Sequence, residues 1–124
     1  MKKEVIELEA TWYGGGYHYS LLDDKKGFVR DGFAKFEPIN IEDSKIVYFW
    51  KKVEELGVWK WKKKYPYWNG KQEITDGCDW TLKLRDRKGR AKYCSGYESF
   101  PRRYKELIEE LNSLFSSEIN FLRF

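Results

Sequence analysis

Basic and aromatic residues interleave along Trp59-Lys60-Trp61-Lys62-Lys63-Lys64-Tyr65-Pro66-Tyr67-Trp68. Lysines attract phosphates and ring faces stack on bases, so a single-stranded nucleic acid could be held by Lys60, Lys62, Lys63 and Lys64. A structural reading competes with it. From Val58 the apolar period is two, which predicts a strand with Trp59 and Trp61 on the buried side and Lys60, Lys62 and Lys64 on the wet side. Lysines there also guard an edge strand against aggregation. The alternation lapses after Lys64, leaving Tyr65, Tyr67 and Trp68 as the aromatics free to meet a ligand.

A second candidate is Ser95-Gly96-Tyr97-Glu98-Ser99-Phe100-Pro101-Arg102-Arg103, a glycine-containing loop running into a helix, with Pro101 at its N1 or N2 position. Free N–H groups and the positive end of the helix dipole favour an anion there, and two arginines in a first turn call for negative charge nearby. Arg102 and Arg103 therefore become anion ligands, extended by Arg90 and Lys92 on the preceding strand. Glu98 or an N-terminal carboxylate could supply that negative charge instead.

Gly14-Gly15-Gly16, flanked by Tyr13, Tyr17, His18 and Tyr19, lacks the Lys-Ser/Thr of a Walker loop and the spacing of a dinucleotide fingerprint, and reads as a tight turn. His18 is the one histidine, so no His-rich metal set exists, and the known hydrolase and protease motifs are absent. Cys78 and Cys94 lack Cys-x-x-Cys spacing and are expected as free thiols. The expectation is a non-enzymatic protein with no catalytic residue, metal or cofactor.

Composition bounds the partner. Residues 1–43 carry six Lys/Arg against nine Asp/Glu, and residues 44–124 carry 18 against 11, so the net charge of +4 resides in the second part. That asymmetry suits an anionic small molecule or an acidic protein surface, with nucleic acid as a further partner. A solvated face of mixed sign would look similar. No apolar stretch has the length of a signal peptide or a membrane span, which predicts a cytoplasmic protein with no membrane partner. Aromatic residues are 19% of the chain, so a few core positions can bury a large apolar area.

The elements that must position these groups follow from periodicity. Val5 to Trp12 and Tyr17 to Leu22 read as strands, Asp23 to Gly27 as a turn, and Phe28 to Phe36 as one or two more strands. Ile46, Phe49, Trp50, Val53 and Leu56 share one helix face ending at Gly57. Trp80, Leu82 and Leu84 begin a hairpin that turns at Arg87-Lys88-Gly89 and returns through Ala91 to Cys94. A turn centred on Arg87-Lys88 sets Thr81 opposite Cys94 and leaves a Cys78–Cys94 bridge out of reach. Tyr104, Leu107, Ile108, Leu111, Leu114 and Phe115 form the stripe of a second helix. The sum is one α+β domain over residues 1–124, a largely antiparallel sheet of about five to six strands with two helices packed on one face. The apolar tail, Glu118 to Phe124, should dock on the domain or build a homodimer.

Gly16-Tyr-x-Tyr-Ser20, Phe49-Trp50, Trp59-x-Trp61, Asp76-Gly77-x-x-Trp80-x-Leu82, Ser95-Gly96 and Phe100-Pro101 before a Leu-rich helix resemble a group of small bacterial and phage-associated domains of unknown function. The resemblance implies an α+β fold over nearly the whole chain and carries no substrate or catalytic residue. The function expected from the residues is binding of an anionic partner, a nucleotide-like ligand or an acidic protein, at an aromatic-rich basic surface. The alternatives are single-stranded nucleic acid binding through Lys60–Trp68 and a protein inhibitor or immunity-type module.

Overall fold

The computed structural model describes residues 3–12, 14–65 and 78–119. Acidic and apolar residues alternate along β1 (Val5–Trp12), which buries Ile6, Leu8 and Ala10. Gly14, at φ 84°, precedes β2 (Gly15–Leu22), where Gly15 faces Trp12 and Gly16 faces Thr11, so of the three glycines expected in a tight turn two are strand residues. A 3-10 turn at Asp23–Lys25 leads into β3 (Lys26–Asp31), β4 (Ala34–Lys35) and β5 (Ile39–Asn40). Next come α1 (Asp43–Glu55), a second 3-10 turn (Val58–Lys60), β6 (Lys64–Tyr65), β7 (Asp79–Arg85), β8 (Ala91–Tyr97) and α2 (Tyr104–Phe115).

The strands form one sheet in the order β4-β3-β2-β1-β7-β8-β6, with β5 also on β3. Every pairing is antiparallel except β6 with β8. The sheet has eight strands where five to six were expected. Three of them, β4, β5 and β6, are two residues long, too short to leave an alternation in the sequence.

Tyr17, Tyr19, Trp80, Leu82 and Leu84 join the buried β1 residues in one core. The core face of the sheet meets α2. The Tyr17 and Tyr104 hydroxyls share a buried 3.0 Å hydrogen bond, Tyr19 donates to Asn112 Oδ1 at 2.8 Å, and Trp80 packs on Tyr104 with ring centroids 5.3 Å apart. Burial raises the pKa of all three tyrosines, so the phenols stay neutral and their hydrogen bonds persist across ordinary pH. Ile46, Phe49 and Val53 carry α1 into the same core, and α1 packs against α2.

Three local expectations fail. Val58–Lys64 is not a strand with Trp59 and Trp61 on one side: within it and the next residue only Lys64–Tyr65 pairs as a strand, and Val58–Lys60 is a 3-10 turn. Gly57, at φ 72°, ends α1 in the left-handed region, as its place after the helix suggested, and the tight turn that follows stacks Trp59 on Trp50 at 6.0 Å and sinks Trp61 into the core. Stacking Trp59 on α1 and burying Trp61 in the core outweighs the pleat that the alternation imitates.

The hairpin register also shifts by one residue. Asp86 and Arg90 close a three-residue loop through the Asp86 N–H and Arg90 carbonyl at 2.9 Å, with Gly89 at φ 91°, so Cys94 faces Leu82 and Thr81 faces Ser95. Cys78 and Cys94 are buried free thiols, and burial pushes Cys78 up to about 12. Third, Pro101 lies ahead of α2 and not at N1 or N2, because Arg103 at φ 73° interrupts helical geometry and α2 begins at Tyr104.

The hairpin tip clamps the start of α1. Arg87 bonds Asp43 Oδ2 at 3.2 Å and Glu4 at 3.1 Å, while Lys25 pairs with Asp43 at 2.9 Å. Hydrogen bonds from Arg87 and Lys25 hold the Asp43 carboxyl down at about 2, against an ordinary 3.8. Its contribution to stability is therefore complete above 3.8 and is lost as pH falls toward about 2. Urea midpoints measured at pH 5 and pH 2.5 should differ less for Asp43→Asn than for the parent chain. An unchanged difference would remove Asp43 from the acid transition.

Candidate anion-binding edge

Pairing fixes which side chains share the face of the sheet opposite the core. Glu7 faces Ser20 on one side and Lys83 on the other, and these continue to Phe28 and Tyr93. The next row runs Arg30, His18, Glu9, Thr81, Ser95 and Lys64. Within this face His18 bonds Glu7 at 2.8 Å and Arg30 reaches Glu9 at 3.5 Å. On the β1–β3 side Glu7 and Glu9 therefore each have a partner.

The β8 edge differs. The chain leaves α1, makes its 3-10 turn and runs to β6 beside β8, where the Ser95 N–H donates to the Lys63 carbonyl at 3.0 Å. Lys60, Lys62, Lys63 and Lys64 are exposed along this path, and Lys92 is half-buried on β8. Arg102 and Arg103 are exposed at the start of α2. Arg103 donates to the Glu55 carbonyl at 3.5 Å, at the C-terminus of α1, and so joins the chain that carries the lysines. Among the described residues, Lys60, Lys62, Lys63, Lys64, Lys92 and Arg102 form no ion pair.

Two predicted ligands are committed elsewhere. Arg90 pairs with Glu54 at 2.9 Å and Asp86 at 3.4 Å and lies over the Trp59 ring, 4.1 Å from its centroid. These contacts tie the hairpin to α1. The arginine beside α2 likewise has a structural explanation, since a cation at the C-terminal end of α1 is favoured by that helix's dipole.

The aromatic half of the expectation is redistributed. Tyr65 packs on Trp80 with centroids 5.8 Å apart, and its hydroxyl accepts the Lys62 N–H at 2.9 Å, so it is an edge of the core. Tyr67 and Trp68 lie outside the described residues. Among the described residues Tyr93 is an exposed ring on β8, facing Lys83 across the sheet, and its hydroxyl accepts from Arg85 at 2.9 Å. Its signal in the sequence is its odd position along Ala91–Tyr97, out of phase with buried Cys94. A shallow depression of about 330 Å³ between Lys64, Thr81, Ser95 and Tyr97 adds hydroxyl groups beside the lysines, together with Asp79.

Among the described residues no group of three or more His, Cys, Asp or Glu side chains could hold a metal ion. None of their helices is long and apolar enough to cross a membrane. Fold and edge together describe an α+β protein with a lysine-rich rim beside one end of its sheet. No protein-family model, curated protein or solved structure matches the chain.

Proposed function

We propose that this protein is a non-enzymatic binding module that uses the β8 edge to engage an acidic protein surface. The carrying observation is the set of exposed cations on adjoining segments, Lys60, Lys62, Lys63, Lys64 and Arg102, which form no ion pair among the described residues. Both helices would cover the core face of the sheet and leave this edge to the partner. Exposed charge of one sign accelerates encounter and selects an oppositely charged surface.

A single-stranded nucleic acid is the second reading, supported by the same lysines. It is less favoured because Trp61 is buried, Trp59 is stacked on Trp50 and covered by Arg90, and Tyr65 is half-buried against Trp80, which reduces the ring surface left for a base. The depression at Lys64 contains Asp79 and is a poorer seat for a nucleotide-like ligand.

The test compares a polyglutamate peptide and an oligothymidine as probes. Replacing Lys62, Lys63 and Lys64 by serine should weaken polyglutamate binding about tenfold or more at low salt and leave the melting temperature unchanged. Equal affinity of parent and variant for polyglutamate would sink the proposal. Preferential binding of oligothymidine, with a salt slope that falls by roughly two when three phosphate contacts are lost, would establish the nucleic acid reading instead.

A further inference from the structure

β8 pairs with β7 along all seven of its residues, but β6 covers its outer edge only at Ser95 and Gly96. The Ser95 N–H points outward, since it donates to the Lys63 carbonyl. Backbone direction alternates along a strand, so the N–H and C=O groups of Ala91 and Tyr93 point outward too. Among the described residues no backbone group meets them. Ala91 is exposed and Tyr93 is 45% exposed.

An open edge of this kind is a template for a further strand. Charge decides which strand. Lys62 and Lys63 lead into β6 beside the open stretch, Lys92 stands between the two outward residues, and none of the three forms an ion pair among the described residues. A second copy pairing edge to edge would set these lysines against one another, whereas a segment rich in Asp or Glu would set carboxylates against them. We propose that the acidic partner binds as an extended segment that adds to the sheet beside Ala91–Tyr93, its backbone pairing with theirs and its carboxylates meeting the lysines. This rests on the acidic-partner reading of the same edge and specifies the partner's conformation. The added strand is short, because the chain that enters β6 closes the edge at Ser95.

Two probes separate backbone pairing from charge: a peptide of alternating glutamate and valine, and the same peptide with every backbone amide N-methylated, which keeps the carboxylates and loses the donors. The first should bind the full chain and slow amide exchange at Ala91 and Tyr93 severalfold, leaving Cys94, which faces Leu82 of β7, unchanged. The N-methylated peptide should bind about tenfold more weakly or worse. Tyr93→Pro removes an outward donor at an edge position that tolerates proline, and should weaken the first peptide more than Tyr93→Ala, which keeps the donor. Equal losses for the two variants would trace the effect to the ring and overturn backbone pairing. Equal affinity for the two peptides, without protection at Ala91 and Tyr93, would overturn strand addition and leave the acidic-partner reading standing. Failure of both peptides to bind at low salt would remove that reading and this proposal with it. Protection of the two amides without peptide, in a chain that sediments as a dimer, would give the edge to a second copy and overturn the assignment.

Discussion

Gly96→Ala is expected to destabilise the chain by about 2–4 kcal/mol, the sum of an overpacking cost and a disrupted buried hydrogen bond. Gly96 sits in β8 opposite Trp80 on one side and Tyr65 on the other. A Cβ there would lie 2.8 Å from Trp80 Cε2 and 2.6 Å from the Ser99 carbonyl, and would press directly on the indole nitrogen. Those are the two groups that meet when Trp80 Nε1 donates to Ser99 at 2.8 Å. Trp80 is almost wholly buried and touches Tyr65, Phe100 and Tyr104, so it has no free volume to retreat into. Urea unfolding followed by tryptophan fluorescence would measure the loss. A variant within about 0.5 kcal/mol of the parent would show that the Ser99 loop yields and that the close approach does not require glycine.

Asn112→Ala should cost a similar amount, on the order of 3 kcal/mol, because one side chain organises the end of α2. Its Oδ1 accepts from the Tyr19 hydroxyl at 2.8 Å, Ser117 Oγ at 2.8 Å and the Ile119 N–H at 3.0 Å, while Nδ2 donates to the Ile119 carbonyl at 2.8 Å. Alanine would leave the Tyr19 hydroxyl without this acceptor in the core and free the chain after Ser116, the left-handed residue at φ 55° that closes the helix. The effect should be visible twice, as a lower urea midpoint and as faster amide exchange at Ser117 and Ile119. Loss of stability without faster exchange at these two amides would assign Asn112 to the Tyr19 bond alone. No change in either would remove it from the fold's support.

These two residues mark the boundary between local and tertiary information. The alternation in Val5–Trp12 and Asp79–Arg85, the apolar stripe of Tyr104–Phe115 and the helix stop at Gly57 were legible in the sequence because each rests on a short-range period or on the backbone freedom of one residue. The α+β class and the predominance of antiparallel pairing followed from their order. The two-residue strands, the one-residue hairpin shift set by the Asp86–Arg90 loop and the interruption at Arg103 left no periodic trace.

At the candidate site, residue types determined that Lys60 to Lys64 are basic and that the second part of the chain carries the excess charge. Only the tertiary structure decided which aromatics are available. Trp59 and Trp61 mimic a strand in spacing, yet stacking on Trp50 and burial in the core claim both, because large apolar surfaces gain more from α1 and the core than from a pleat. Arg90 is drawn off by Glu54, Asp86 and the Trp59 ring, partners scattered along the chain and brought together by the packing of the hairpin on α1. The lysines kept their availability for the converse reason: a hydrated ammonium on a flexible stem gains little from the core, so the fold leaves it at the edge.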